Sequence, residues 1–128
     1  MRIALDTNRY RDLCEGDPKV LKVLQQCEQV AMPVPVIAEL RSGFACGTRS
    51  LRNDATLTRF LNESRVCILN IDESTTSFFA RLYKQLREQG TPIPTNDLWI
   101  AALVEQHRLL LYTRDRHFKN LPQLALIE

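Results

Sequence analysis

The sequence has 128 residues, of which 45% are hydrophobic and 25% are charged. These proportions are typical of a folded globular chain and argue against disorder, and the length suits a single domain spanning residues 1–128. The formal net charge of +2 is too small to indicate a nucleic-acid-binding protein by overall charge, so any such role depends on local groups of residues.

The first predicted element is a buried strand at residues 2–6, a short apolar run that ends in Asp6. We expect a loop after this strand, containing Glu15 and Gly16. Asp17 suits the N-cap of a helix and Pro18 its first position. The apolar residues that follow recur at helical spacing, which predicts a helix.

A second apolar run, at residues 30–34, is predicted as the next strand. Pro35 then suits the first turn of another helix, which would carry Glu39 in its second turn. The apolar residues within 49–63 predict a further amphipathic helix.

The second half of the chain continues the alternation of strands and helices. Asp72 is predicted to cap a long amphipathic helix that Gly90 ends. Another helix is predicted at residues 96–107, and the remaining strands are predicted at 66–71, 109–113 and 124–127.

A signal peptide, a membrane-spanning segment and a zinc site are not expected in this chain. The N-terminal segment MRIALDTN has too few apolar residues for a signal peptide. The longest apolar run, VAMPVPVIA, is too short to cross a membrane, so we expect a cytoplasmic protein. The cysteines lack the paired spacing of zinc ligands and are expected to be unbonded residues of the core or of helix faces: Cys14, Cys27, Cys46 and Cys67.

Strands that alternate with helices of this length predict an α/β fold with a mostly parallel sheet of four to five strands, covered on both faces. Ligands of such sheets bind beyond the carboxyl ends of the strands. Four acids fall near that edge in the predicted order of elements: Asp6, Glu39, Asp97 and Asp115.

Carboxylates that share one crevice repel each other, and some take up protons unless a cation joins them. Oxygen ligands without histidine or cysteine favour Mg²⁺ or Mn²⁺, which supports phosphodiester hydrolysis by orienting water and offsetting phosphoryl charge. For Asp97 a purely structural role remains open: Thr95 suits the N-cap of the helix, and a negative charge suits its first turn.

Four segments together resemble the PIN-domain ribonucleases and, more narrowly, the VapC-type toxins of bacterial toxin–antitoxin pairs. They are LDTN at 5–8, AEL at 38–40, TNDLWIAA at 95–102 and LLYTRDRHF at 110–118. The resemblance implies a three-layer α/β/α sandwich and an endoribonuclease that depends on Mg²⁺ or Mn²⁺. It also implies an antitoxin partner and a homodimer.

The resemblance implies catalytic and metal-binding roles for the four acids, with Asp6 and Asp97 as the clearest metal ligands. Hydroxyl and amide side chains beside the acids are predicted to orient carboxylates or water: Thr7, Asn8, Asn96 and Thr113. For the two asparagines, turn and cap chemistry is an equally good explanation.

Basic residues near the motifs are candidates for binding RNA phosphates. Arg114 and Arg116 bracket Asp115 and are the first candidates. Arg9 is a third, for which a solvated side chain remains the alternative. His117 stands where many relatives have a further acid, which weakens the case for a second tightly held metal and leaves a role in proton transfer open.

Two other functions and one partner surface remain open. An aspartate-dependent phosphohydrolase usually has a second aspartate two residues after the first, where this chain has Asn8. A non-catalytic PIN-like module that binds RNA or protein is the other alternative, although all four acids are present. Apolar residues within 36–46 and 51–61, including Phe44 and Phe60, are predicted either to anchor an antitoxin or to pack in the core.

Overall fold

The computed structural model describes residues 1–128 and contains five β-strands and six α-helices. The strands are β1 Arg2–Leu5, β2 Gln29–Pro33, β3 Val66–Leu69, β4 Leu110–Tyr112 and β5 Ala125–Ile127. The helices are α1 Thr7–Cys14, α2 Pro18–Gln25, α3 Val34–Cys46, α4 Ser50–Leu61, α5 Glu73–Gln89 and α6 Thr95–His107. A short 3₁₀ helix, Arg116–Asn120, lies between β4 and β5.

The five strands form one parallel sheet in the order β3-β2-β1-β4-β5. β1 is central, and Ile3 lies beside Val30 on one side and beside Leu110 on the other. Because both faces of a parallel sheet are covered, its central strands are apolar, and Ile3, Ala4 and Leu5 are fully buried. The predicted α/β fold with a parallel sheet is confirmed.

The helices form the outer layers of the sandwich. α1 to α4 connect β1, β2 and β3, whereas α5 and α6 return the chain from β3 to β4 on the other side of β1. Since parallel connections are right-handed, reversing the direction of travel along the sheet moves the helices to the opposite face. α5 packs on α6, and α3 packs on α4.

Local capping explains where several helices begin and end. The Asp17 side chain accepts hydrogen bonds from backbone N–H groups at the start of α2. Asp72 and Thr75 form a reciprocal capping box at the start of α5, and Gly90 ends this helix at φ 72°. The observed caps and strands agree to within two residues with those predicted from the sequence.

α6 is apolar on nearly all sides and is therefore enclosed by the rest of the fold. Its buried residues are Leu98, Ile100, Ala101, Ala102, Leu103 and Val104. The ring of Trp99 packs against Phe79 of α5, with ring centroids 4.2 Å apart. This packing fixes the helix whose first turn carries Asp97.

The loop predicted after β1 is wrong, because residues 7–14 form α1. The Asp6 side chain caps this helix by accepting a hydrogen bond from the backbone N of Thr7 at 2.8 Å. α1 is rich in polar residues and buries only Thr7 and Tyr10, so its sequence lacks the apolar periodicity that revealed the other helices.

The four cysteines are free, as expected. Cys27 is buried and Cys67 is half-buried, while Cys14 and Cys46 are exposed. The helices lack the combined length and hydropathy of a membrane-spanning segment.

Candidate active site

The candidate site lies where the order of the strands reverses, between β1 and its neighbour β4. Asp6 follows β1, and Thr113 and Asp115 follow β4. Because Leu5 pairs with Tyr112, the two chain segments leave the sheet side by side. Crevices at such reversals are the usual ligand sites of open parallel sheets.

Asp6 is a buried carboxylate, only 4% exposed, and both of its oxygens accept hydrogen bonds. The backbone N of Thr7 donates to Oδ1 at 2.8 Å, and the Thr113 hydroxyl donates to Oδ2 at 2.6 Å. The Asn8 amide donates to Oδ2 at 3.3 Å. These bonds, two from α1 and one from the residue after β4, hold the carboxylate in one orientation.

Thr113 and Asn8 join the ends of the two strands. The Thr113 hydroxyl accepts hydrogen bonds from the backbone N of Asp115 at 3.0 Å and from the Asn8 amide at 3.3 Å. The Asn8 carbonyl oxygen accepts from the backbone N of Arg114 at 3.3 Å. By contrast, the Thr7 hydroxyl is buried without a hydrogen-bond partner, so its side chain orients no carboxylate.

Asp97, Asp115 and His117 form a second group at the site. The Nδ1 atom of His117 lies 2.8 Å from Asp97 Oδ2 and 3.2 Å from Asp115 Oδ1. One ligand atom from each residue lies within 4.8 Å of the other two. His117 departs from the family pattern in the sequence, and its contact with Asp97, 20 positions away, was not predicted.

Glu39 approaches from α3 and is the most exposed of the four acids. The Asn96 amide donates to Glu39 Oε1 at 3.0 Å and to the backbone oxygen of Pro35 at 3.4 Å. Asn96 therefore ties α3 to the first turn of α6, next to Asp97. Glu39 lies outside the group formed by Asp97, Asp115 and His117.

Two acids of the site, Asp6 and Asp97, have a raised pKa, chiefly because they are buried. Burial raises the pKa of Asp6, the hydrogen bonds from Thr113 and Thr7 partly offset this, and the charges of Asp97 and Glu39 raise it further. Burial also raises the pKa of Asp97, against the hydrogen bond from His117, and the charge of Asp115 adds to the increase. The site is thus short of positive charge, and an oxygen-rich donor set of this kind fits a divalent cation.

The same acidic charges favour the charged form of His117, whereas they disfavour the charged forms of Asp6 and Asp97. Its hydrogen bond to Asp97 raises its pKa, burial opposes this, and the charges of Asp115 and Asp97 add to the increase. A protonated imidazole therefore neutralises part of the acidic site when no other cation does so.

The arginines near the site differ in how much of their charge is already paired. Arg114 binds Asp12 through two nitrogens, at 2.9 and 3.1 Å. Arg9 is not solvated, so that alternative is wrong. Its side chain is 14% exposed, lies 3.2 Å from Asp12 and stacks over the Tyr112 ring. Arg116 is exposed and forms no ion pair within the chain.

Asp12 is the residue of this region that sequence analysis missed. Its pKa is lowered chiefly by the hydrogen bond from Arg114 and further by Arg9, so it is a charged partner of both arginines. Arg114 lies 102 positions away along the chain, so no local sequence pattern predicts this contact.

Comparison with known proteins identifies the family. The model of the PIN domain matches residues 3–124. Ribonuclease VapC5 of Mycobacterium tuberculosis (strain ATCC 25618 / H37Rv) is 33% identical over 102 residues, which is 79% of this chain and 75% of that protein. The chain belongs to the VapC ribonucleases of the PIN-domain family. The family predicted from the four sequence segments is confirmed, and the phosphohydrolase alternative is set aside.

Solved structures of VapC relatives share the fold. VapBC-1 from nontypeable Haemophilus influenzae matches with a TM-score of 0.88 and 25% identity, covering 100% of this chain and 98% of that one. VapBC-5 from M. tuberculosis, a member of the VapBC family of toxin–antitoxin systems, matches with a TM-score of 0.76 and 28% identity, covering 99% and 98%.

Proposed function

We propose that this VapC ribonuclease is a cytoplasmic toxin, one domain spanning residues 1–128, that hydrolyses RNA phosphodiester bonds internally with Mg²⁺ or Mn²⁺. The observation that carries the proposal is the convergence of buried Asp6 with Asp97, Asp115 and Glu39 where the strand order reverses. Buried acids with a raised pKa and acidic neighbours, as Asp6 and Asp97 are, are characteristic of functional sites.

Asp6, Asp97 and Asp115 would hold the cation, with Glu39 beside them. When bound, the cation polarises water and phosphate oxygens and offsets the charge that develops during hydrolysis. Asp6 is kept in position by Thr113 and by the backbone of Thr7. Asp97 gains its rigidity from buried α6, and such supporting contacts normally govern metal affinity.

Glu39 and Asn96 have a positioning role in this proposal. The Asn96 amide fixes one Glu39 oxygen and leaves the other free, so the carboxylate can accept a hydrogen bond from water or from an RNA hydroxyl. Because Glu39 is more exposed than Asp6, it suits the rim of the site, where substrate enters.

Arg116 is our first choice for binding RNA phosphate, because its charge is unpaired and it follows Asp115 directly. Arg114 is the second choice, since Asp12 already neutralises much of its charge. Arg9 supports the site through Asp12 and Tyr112, and direct contact with RNA would require it to leave that packing.

We further propose that a cognate antitoxin holds the enzyme inactive. A basic side chain of the partner would pair with Asp6 or Asp97 and exclude the metal. An apolar anchor on α3 and α4 is supported by Leu51, which is 90% exposed, and by half-buried Phe44. Phe60 packs edge-on against Tyr10 at 5.4 Å, which favours a core role for this residue.

A brief pulse of expression followed by sequencing of cellular RNA 5′ ends tests the activity and identifies the substrate. Wild type should create new 5′ ends at discrete positions and slow growth. Asp6→Asn should do neither, whereas Asp54→Asn, which changes a half-buried acid of α4 outside the site, should behave as wild type. An unchanged set of 5′ ends in wild type would overturn the nuclease proposal.

Co-expression with the product of the neighbouring small gene tests the partner. We expect a stable complex without nuclease activity, and Leu51→Asp should weaken its assembly. Sedimentation of the purified chain tests the homodimer that the family resemblance implies. Harmless expression of active wild type without any partner would overturn the toxin role but leave the nuclease role intact.

A further inference from the structure

His117 occupies a position at the site that hydrogen bonding alone explains incompletely. Its ring faces two carboxylates at once, Asp97 at 2.8 Å and Asp115 at 3.2 Å, through the same nitrogen, Nδ1. A single N–H donates well to one acceptor, so this nitrogen has two acidic neighbours but only one proton to share. The chain contains no other group of three acids, cysteines or histidines with ligand atoms this close together.

We infer that Nδ1 of His117 is a direct ligand of the divalent cation, together with Asp97 and Asp115, and that it shifts the site's preference from Mg²⁺ toward Mn²⁺. The inference rests on the metal site of the proposed function and assigns it one nitrogen ligand. A neutral imidazole thus stands where a further carboxylate is common among PIN-domain relatives.

The two separations from Nδ1 to the carboxylate oxygens fit this role. Neighbouring ligands around an octahedral ion with bonds of about 2.1 Å lie roughly 3 Å apart. The separations of 2.8 and 3.2 Å from Nδ1 to the two carboxylate oxygens bracket that value. The present contacts are hydrogen bonds, so the imidazole and the two carboxylates would turn from one another toward the ion when it replaces the shared proton.

The backbone holds His117 in place independently of its ring. Its N–H donates to Asp115 Oδ1 at 2.9 Å, since Asp115 caps the 3₁₀ helix Arg116–Asn120. The next residue, Phe118, is completely buried and anchors this helix to the core. The imidazole is thus presented by a fixed turn, although its side chain is 48% exposed.

The chemistry of the ligand sets the metal preference. Mg²⁺ takes oxygen ligands almost exclusively, whereas imidazole nitrogen suits first-row transition ions. An aspartate at this position would favour Mg²⁺ instead by adding an oxygen ligand and a negative charge.

Pulsed electron paramagnetic resonance of the Mn²⁺-loaded protein tests the inference without an activity assay. Wild type should show modulation from a coordinated imidazole nitrogen, and His117→Ala should lose it. His107→Ala, which removes the other histidine of the chain at the end of α6, is the matched control and should retain it. Calorimetry should show Mn²⁺ affinity about tenfold weaker in His117→Ala, with a smaller change for Mg²⁺. His117→Asp should recover Mg²⁺ affinity without the nitrogen signal.

The outcomes separate this inference from the proposed function. Tight Mn²⁺ binding by wild type without a nitrogen signal, unchanged in His117→Ala, would overturn the role of His117 and leave the carboxylate site standing. Failure of wild type to bind Mn²⁺ at all would overturn both.

Discussion

Replacing Thr113 with valine removes one hydroxyl from the site and preserves the shape of the side chain. Thr113 is 2% exposed, and its hydroxyl donates to Asp6 Oδ2 at 2.6 Å while accepting from the backbone N of Asp115 at 3.0 Å. Thr113→Val therefore leaves one buried carboxylate oxygen with a weaker set of donors and one partly buried N–H without its acceptor.

The expected cost follows from these two losses. A hydrogen bond to a charged group contributes about 1.5–3 kcal/mol, and the unsatisfied N–H of Asp115 adds about 1 kcal/mol. We expect the metal-free variant to lose about 3 kcal/mol of unfolding free energy at pH 8. For a chain of this length that lowers the melting temperature by roughly 10 °C.

The loss should depend on pH. The Thr113 hydrogen bond lowers the pKa of Asp6, which burial keeps above its ordinary value. Without the hydroxyl this pKa rises further, so the folded variant retains the proton of Asp6 to a higher pH than wild type does. Protonation removes the charge that lacked its donor, so the deficit of the variant should shrink as pH falls toward the range in which aspartates take up protons.

Urea unfolding in EDTA, followed by the fluorescence of Trp99, measures this deficit at about pH 4 and at pH 8. Thr58→Val, which changes an exposed threonine of α4, is the matched control and should be within about 0.5 kcal/mol of wild type. A deficit below 1 kcal/mol at pH 8, or an equal deficit at both pH values, would contradict the role assigned to the Thr113 hydroxyl.

Three further predictions concern the same site. Asp6→Asn and Asp97→Asn should each abolish tight Mn²⁺ binding in calorimetry while the chain still folds, and retained affinity in both would contradict their assignment as ligands. In EDTA, the melting temperature of wild type should fall from pH 5 to pH 8. The raised pKa values of Asp6 and Asp97 keep protons on the folded state, and the stabilising charge of His117 is lost through its own raised pKa. Saturating Mn²⁺ should flatten this decline, and an equally steep decline with Mn²⁺ would count against the metal site. Arg116→Ala should reduce the salt slope of RNA binding by about 1 in fluorescence anisotropy, and Arg114→Ala by less; equal slopes in all three proteins would rule out both contacts.

Much of the fold could be predicted because its signals are local. The capping pair Asp72 and Thr75 marks the start of α5, and Gly90, which takes a left-handed conformation, marks its end. The buried strands appear as short apolar runs, and alternation with helices implies a parallel sheet. The approach of the four acids follows from that topology, since strand ends meet at one edge.

The remainder depends on contacts between distant parts of the chain. α1 escaped prediction because its stabilisation comes from the Asp6 cap and the burial of Tyr10 rather than from an apolar stripe. Arg114 reaches Asp12 only when β4 comes to lie beside β1, and His117 reaches Asp97 only when the 3₁₀ helix packs beside α6. The spacing of residues in the sequence does not predict such pairs.

Cleavage of a short labelled RNA by the purified protein tests the central claim most directly. The RNA should contain a site found by 5′-end sequencing, and Mn²⁺ should be titrated into wild type, Asp97→Asn and the control Asp54→Asn. We expect no cleavage in EDTA, a saturable rate with Mn²⁺ for wild type and Asp54→Asn, and a loss of at least about 100-fold in Asp97→Asn. Cleavage by wild type that persists in EDTA, or that Asp97→Asn leaves undiminished, would contradict a metal-dependent ribonuclease site at these acids.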